Sequence, residues 1–236
     1  MATTTMLKSL LALLLCILPV FVQVVTGNAI GSEVEGMPGY NWAPMQFKGQ
    51  IAGVDYQMNG SANEILHQFQ KDYPEVKLNL DLNVTNARVR ARDAKPMVAL
   101  KPRNKWSLYC TPVPGQNWIP AATAYVQLAI DVLNYNGGTC GVAARSCTQI
   151  SCSWTANIIL CNDNYYDLNP SCTYLASYAA DLIDRCSWFD VGPGAGEDFS
   201  TTGGQESDTD NYNIIVRYDA PASNSICLSL GNLQGW

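Results

Sequence analysis

The sequence predicts an α+β fold. Its body is a disulfide-stabilised antiparallel sheet packed with two helices, an α/β sandwich, preceded by a small strand–helix–strand extension. Three observations carry this prediction. Eight cysteines (Cys110, Cys140, Cys147, Cys152, Cys161, Cys172, Cys186 and Cys227) lie beyond residue 105 and follow an apolar leader, and an even count in an oxidising compartment implies disulfides. Two stretches of this cysteine-rich half place apolar residues at helical spacing. Between and after them lie short apolar runs bounded by turn residues, which read as strands. The 236 residues carry a net charge of −6 and are 47% hydrophobic. That excludes a disordered chain, and a general nucleic-acid binder needs a basic face this chain lacks.

The first element is an address. Met1 to Ser9 carry one charge, Lys8, and Leu10 to Val25 are almost wholly apolar. The compact apolar core, interrupted by Pro19 and followed by small residues, reads as a secretory signal rather than a membrane anchor. Val25 and Gly27 suit the −3 and −1 positions of a signal peptidase, so residues 1–27 form the signal peptide, with Ala29 a second cleavage option. Cleavage removes Cys16 and leaves the eight cysteines of the body. The expected location is secreted, extracellular, without a membrane anchor. Eight cysteines allow 105 pairings, and the sequence does not choose among them. A zinc site is disfavoured: no C-x-x-C pair occurs and His67 is the only histidine.

Residues 28–104 read as an N-terminal extension or propeptide with a basic linker. They are nearly neutral, with nine basic and eight acidic residues, whereas residues 105–236 hold four and twelve. This shift places a boundary near Asn104. Gln46 to Tyr56 alternates weakly and reads as a strand. Ser61, with Glu64 three residues on, has the form of a capping box for a helix reaching Tyr73. Ile65, Leu66 and Phe69 make the helix's apolar face. Val76, Leu78, Leu80, Leu82 and Val84 alternate as a second strand over 75–84. Arg88, Arg90, Arg92, Lys95, Lys101 and Arg103 then read as a solvated linker or a processing site. Asn59 and Asn83 stand in Asn-x-Ser/Thr acceptors and are candidate glycosylation sites on solvent-facing turns.

Residues 105–236 form the cysteine-rich secreted domain. Trp106 to Cys110 is a short strand. Ala122, Tyr125, Val126, Ala129, Ile130 and Leu133 mark a helix that Asn136-Gly137-Gly138 ends. Cys147 to Cys161 reads as one long strand or a strand pair. Ser171 caps a second helix with Tyr174, Leu175, Tyr178, Ala179, Leu182 and Ile183 inward. Asp190 to Asp210, rich in Gly, Ser, Thr and acid, reads as a long exposed loop, and Tyr212 to Tyr218 as a core strand.

Three strings then stand out: Gln149-Ile150-Ser151-Cys152-Ser153-Trp154, Leu160-Cys161-Asn162-Asp163-Asn164, and Asn211-Tyr212-Asn213-Ile214-Ile215-Val216, the last preceded by Gly204-Gln205. In this order the stretch from Gly115 to Tyr218 resembles small secreted cysteine-rich, effector-like proteins of filamentous ascomycete fungi. It is more weakly similar to the killer toxins carried by smut-fungus viruses, which are small disulfide-bonded α/β sandwiches. The resemblance implies a secreted scaffold that recognises an extracellular host or competitor protein or glycan without catalysis. Toxin activity in the second group is attributed to blocking calcium channels, and no residue here matches its functional positions.

No catalytic constellation is legible. A nucleophilic hydrolase needs a base beside its nucleophile, and the chain offers His67 alone and no G-x-S-x-G. Asp163, Asp167 and the acids of the 190–210 loop offer carboxylate pairs such as a glycosidase needs, but any acidic chain does. The oxygens of Glu206 to Asn211 alternate in the manner of calcium ligands, yet lack the glycine and distal glutamate of a helix–loop–helix site. Gly192-Pro193-Gly194-Ala195-Gly196 lacks phosphate-loop geometry. No metal and no cofactor is expected. The candidate binding loop is Trp188, Glu197, Asp198, Glu206, Asp208 and Asp210, because loops on a rigid frame carry recognition. The alternative is an extracellular carbohydrate-binding or carbohydrate-active cell-wall protein using exposed tryptophans.

Overall fold

Along the chain the elements run β1 (Glu33–Val34), β2 (Met37–Trp42), β3 (Gln46–Ile51), β4 (Val54–Asn59), α1 (Ala62–Asp72) and α2 (Val84–Asp93). They continue with β5 (Lys105–Cys110), β6 (Ala121–Ala122), α3 (Thr123–Tyr135), β7 (Thr139–Gly141), β8 (Ser146–Ser153), β9 (Ala156–Asn162) and α4 (Cys172–Cys186). β10 (Trp188–Phe189), β11 (Ser200–Thr202), β12 (Gly204–Asp208) and β13 (Tyr212–Tyr218) complete the order. The computed structural model describes residues 33–34, 37–93, 104–189, 200–220 and 227. The signal peptide and its cleavage site, Lys95, Lys101, Arg103, the Gly192–Gly196 string, Glu197, Asp198 and Trp236 lie outside the described residues.

The fold is a disulfide-stabilised α+β fold. Seven strands make the main sheet in the order β1-β2-β8-β9-β13-β12-β5. Every neighbouring pair is antiparallel except β2 and β8, which run parallel. Two three-stranded sheets, β10-β11-β6 and β4-β3-β7, flank it. All seven residues of β9 are buried. That is why Ile158-Ile159-Leu160 is a continuous apolar run rather than an alternation: a central strand covered on both faces has no wet side. One face of the sheet meets the main core, where Ile150, Ile158, Leu160, Ile214 and Val216 pack with residues of α1, α3 and α4. On the other, Cys147, Ile159, Cys161 and Ile215 are covered by Tyr40, Trp42 and Trp118.

Four disulfides join Cys110–Cys186, Cys140–Cys172, Cys147–Cys161 and Cys152–Cys227. The pairing follows from the topology. Cys147 and Cys161 stand opposite each other on the β8–β9 hairpin. Cys140 and Cys110, on β7 and β5, each meet an end of α4.

The structure corrects four sequence expectations. Gln46 to Tyr56 is not one strand. Ala52 and Gly53, with φ of 49° and 82°, turn the chain between β3 and β4. Two consecutive left-handed residues match the twist of a tight hairpin.

Residues 75–84 are not a strand either. The alternation is real, since Val76, Leu78, Leu80 and Leu82 pack on the core, but among the described residues the backbone pairs with no strand. Asn79 N donates instead to the Tyr135 hydroxyl at 3.2 Å.

Arg88, Arg90 and Arg92 lie on α2, not in a linker. Asn83 Oδ1 accepts from the N–H groups of Thr85 and Asn86, at 2.9 and 3.1 Å, and caps that helix. Arg90 bridges Asp81 at 2.7 Å and Asp131 of α3 at 2.8 Å.

The described part of 28–104 is not an extension stacked beside a separate body. β3 pairs with β7, β2 with β8, and Gly31–Trp236 form one compact unit. Asn63 of α1 is fully buried and exchanges two 2.9 Å hydrogen bonds with the backbone of Cys152. The capping box of α1 is present: Ser61 Oγ accepts from Glu64 N, and Glu64 Oε2 accepts from Ser61 N.

Candidate functional site

Of the residues expected to form an acidic binding loop, the described ones do not share one exposed surface. Gly204 to Asp208 are strand β12, held between β13 and β5. Successive side chains of a strand point to opposite faces, so Gly204, Glu206 and Asp208 turn inward together. Glu206 is 3% exposed and Asp208 2%. Trp188 is half-buried in β10, and Asp210 is exposed at the β12–β13 turn.

Opposite the inward face of β12 lies α4. Tyr174, Tyr178, Asp181 and Arg185 recur at three- and four-residue steps and therefore line one stripe of that helix. Asp208 Oδ2 accepts hydrogen bonds from the hydroxyls of Tyr174 (3.2 Å), Tyr178 and Tyr212 (3.1 Å). Asp208 Oδ1 accepts from Asp210 N at 2.7 Å. Both Asp208 oxygens are thus occupied by protein donors. Burial first, and then the charge and hydrogen bonds of Asp208, drive the Tyr178 and Tyr212 phenols well above their ordinary range.

Lys105, at the start of β5, completes the network. Its Nζ donates to Asp181 Oδ2 at 2.8 Å, sits over the Tyr178 ring 4.1 Å from the centroid, and lies 3.8 Å from Glu206 Oε2. Burial pushes the Glu206 carboxyl up to about 7, and the Lys105 ammonium opposes that shift. Glu206 Oε2 has no hydrogen-bond partner among the described residues.

That oxygen's side chain faces a cavity of about 90 Å³ lined by Lys105, Trp106, Ser107, Leu108, Arg185 and Glu206. Trp106 lines it at the point where the β5–β12 register slips. Ser207 pairs with Ser107 and Asp208 with Lys105, so Trp106 is the unpaired residue of a bulge. It is 69% exposed, and Tyr109 on the same strand is 52% exposed. The Cys110–Cys186 disulfide ties the end of β5 to the end of α4 and fixes the two walls together.

Sequence reasoning named Glu206, Asp208, Trp106 and the inward Tyr174 and Tyr178 but not their grouping, and missed Lys105, Asp181 and Arg185. The helical spacing of the α4 polar groups was the available signal. Asn59 and Asn83 are both exposed. His67 lines a separate hollow beside Asn59 and Glu64. Among the described residues no helix is long and apolar enough to cross a membrane. No protein-family model matches the chain, and neither does any curated protein or solved structure.

Proposed function

We propose that the protein is an exported, effector- or toxin-like recognition protein that acts without catalysis on an extracellular host or competitor molecule. The exposed edge of β5 is the observation that carries this reading. Trp106 and Tyr109 present large apolar surface to solvent on a strand anchored by a disulfide. Exposed aromatics held rigidly are the usual material of binding hot spots, because they lose little conformational freedom on binding. Four cross-links preserve such a surface among extracellular proteases. The apolar leader supports export, with Asn28 as the new terminus after cleavage at Gly27. Export also makes the exposed Asn59 and Asn83 candidates for glycan attachment.

The test is infiltration of host tissue and growth inhibition of competitor cells with purified protein. Native material is expected to be active, and reduced, alkylated material inactive. The double variant W106A/Y109A is expected to lose at least 10-fold in potency with an unchanged thermal midpoint. Equal potency of reduced and native protein overturns the reading. Full potency of the double variant moves the recognition surface away from β5.

A further inference from the structure

We infer that the cavity between Trp106 and Glu206 is a subsite for a neutral glycan, in which a pyranose stacks on the Trp106 indole and places a hydroxyl or hydroxymethyl group against Glu206 Oε2. The inference rests on the reading of the β5 edge as a recognition surface and specifies its ligand class.

Size comes first. About 90 Å³ holds one small polar substituent and not a ring, so the bulk of the ligand must stay outside, against Trp106. That side chain lines the cavity and is 69% exposed, so it offers the ligand a surface in solvent. The C–H face of a pyranose is apolar, flat enough to cover an indole, and fringed by hydroxyls that point away from it.

Polarity comes second. Glu206 is 97% removed from solvent, yet its Oε2 accepts no hydrogen bond among the described residues; Lys105 Nζ stands at 3.8 Å and the Asp181 carboxyl lies beside it. Buried polar oxygens are rarely left unmatched, and an O–H donor arriving through the cavity supplies the missing bond.

Charge selects among donors. Lys105 and Arg185 line the same space and disfavour an ammonium or guanidinium group. Glu206 itself, with Asp181 behind Lys105, disfavours an anion. An uncharged hydroxyl meets neither objection.

The experiment titrates the purified full-length secreted protein with hexasaccharides of β-1,4-linked N-acetylglucosamine, β-1,4-linked glucose, β-1,3-linked glucose and α-linked mannose. Tryptophan fluorescence and calorimetry are the readouts. At least one probe is expected to bind saturably with Kd below 1 mM. W106A is expected to weaken that binding at least 10-fold and W106F to retain most of it. E206Q, checked for an unchanged thermal midpoint, is expected to weaken it about 5-fold. Absence of saturable binding by all four probes overturns the inference, as does binding that W106A leaves unchanged. Loss of biological potency in W106A without glycan binding overturns the sugar and retains the recognition reading, with a protein partner on β5 instead. Glycan binding lost in W106A, in a protein inactive in both bioassays, upholds the subsite and overturns the effector reading.

Discussion

Glu206 and Asp208 are two acids of one strand with opposite circumstances. Asp208 is surrounded by three phenol donors and a backbone N–H, whereas Glu206 is buried between the Lys105 ammonium at 3.8 Å and the Asp181 carboxylate. The folded state therefore holds the Glu206 proton more tightly than the unfolded chain does, at about 7 against 4.5. Its contribution to stability is complete below pH 4.5 and is lost as pH rises through about 7. Urea melts at pH 5 and pH 8 should show this. Relative to E206Q, the natural protein is expected to lose on the order of 2 kcal/mol between the two values. Parallel behaviour of the two proteins across that range contradicts the assignment. The residue types at this site were readable from the chain, but their burial was not. Glu206-Ser207-Asp208 looks like a solvated acidic run until Lys105, 101 positions earlier than Glu206, is brought beside it.

At the scale of elements, periodicity succeeded where an element's surroundings agreed with its pattern. α1, α3, α4 and β13 stand where apolar spacing placed them, and of the two readings of 147–161 the structure takes the strand pair. It failed over 75–84, where a two-residue period reports alternate burial but cannot report whether a partner strand exists. It failed again at α2, whose basic face reads as a linker until Asp81 and Asp131 are seen to bracket Arg90. The β3–β7 junction depends on close backbone approach. Gly138 has φ of 85°, and a Cβ there would lie 2.5 Å from Lys48 O and 2.6 Å from Gly49 Cα. Gly138→Ala is expected to cost at least about 2 kcal/mol by denaturant melting, from the left-handed conformation and the clash together. A loss below 0.5 kcal/mol would show that this junction yields without cost.

The whole molecule has one principal core, to which both halves of the sequence contribute. Phe47, Ile65, Leu66 and Phe69 are fully buried with Val126, Leu133 and Ile150. A chain beginning at Asn104 exposes the far side of that core. It is therefore expected to lack a cooperative thermal transition even with its cysteines oxidised, as differential scanning calorimetry checks. A cooperative melt at the full-length midpoint would establish residues 28–103 as dispensable for folding, as a removable propeptide requires. The change of charge near Asn104 thus marks a difference in composition without marking a division of the core. Charge is carried by the surface, while a domain is defined by shared apolar burial.

Taken alone, the sequence determined the α+β class, most helices and strands, and the cysteine-braced character of the body, because these follow from local periodicity and from a count. Only the tertiary structure decided which cysteines pair, that the N-terminal segment joins the core, and that the acids of β12 turn inward toward α4. Each of those depends on groups far apart in the chain meeting in space, and no local pattern of residues encodes such a meeting.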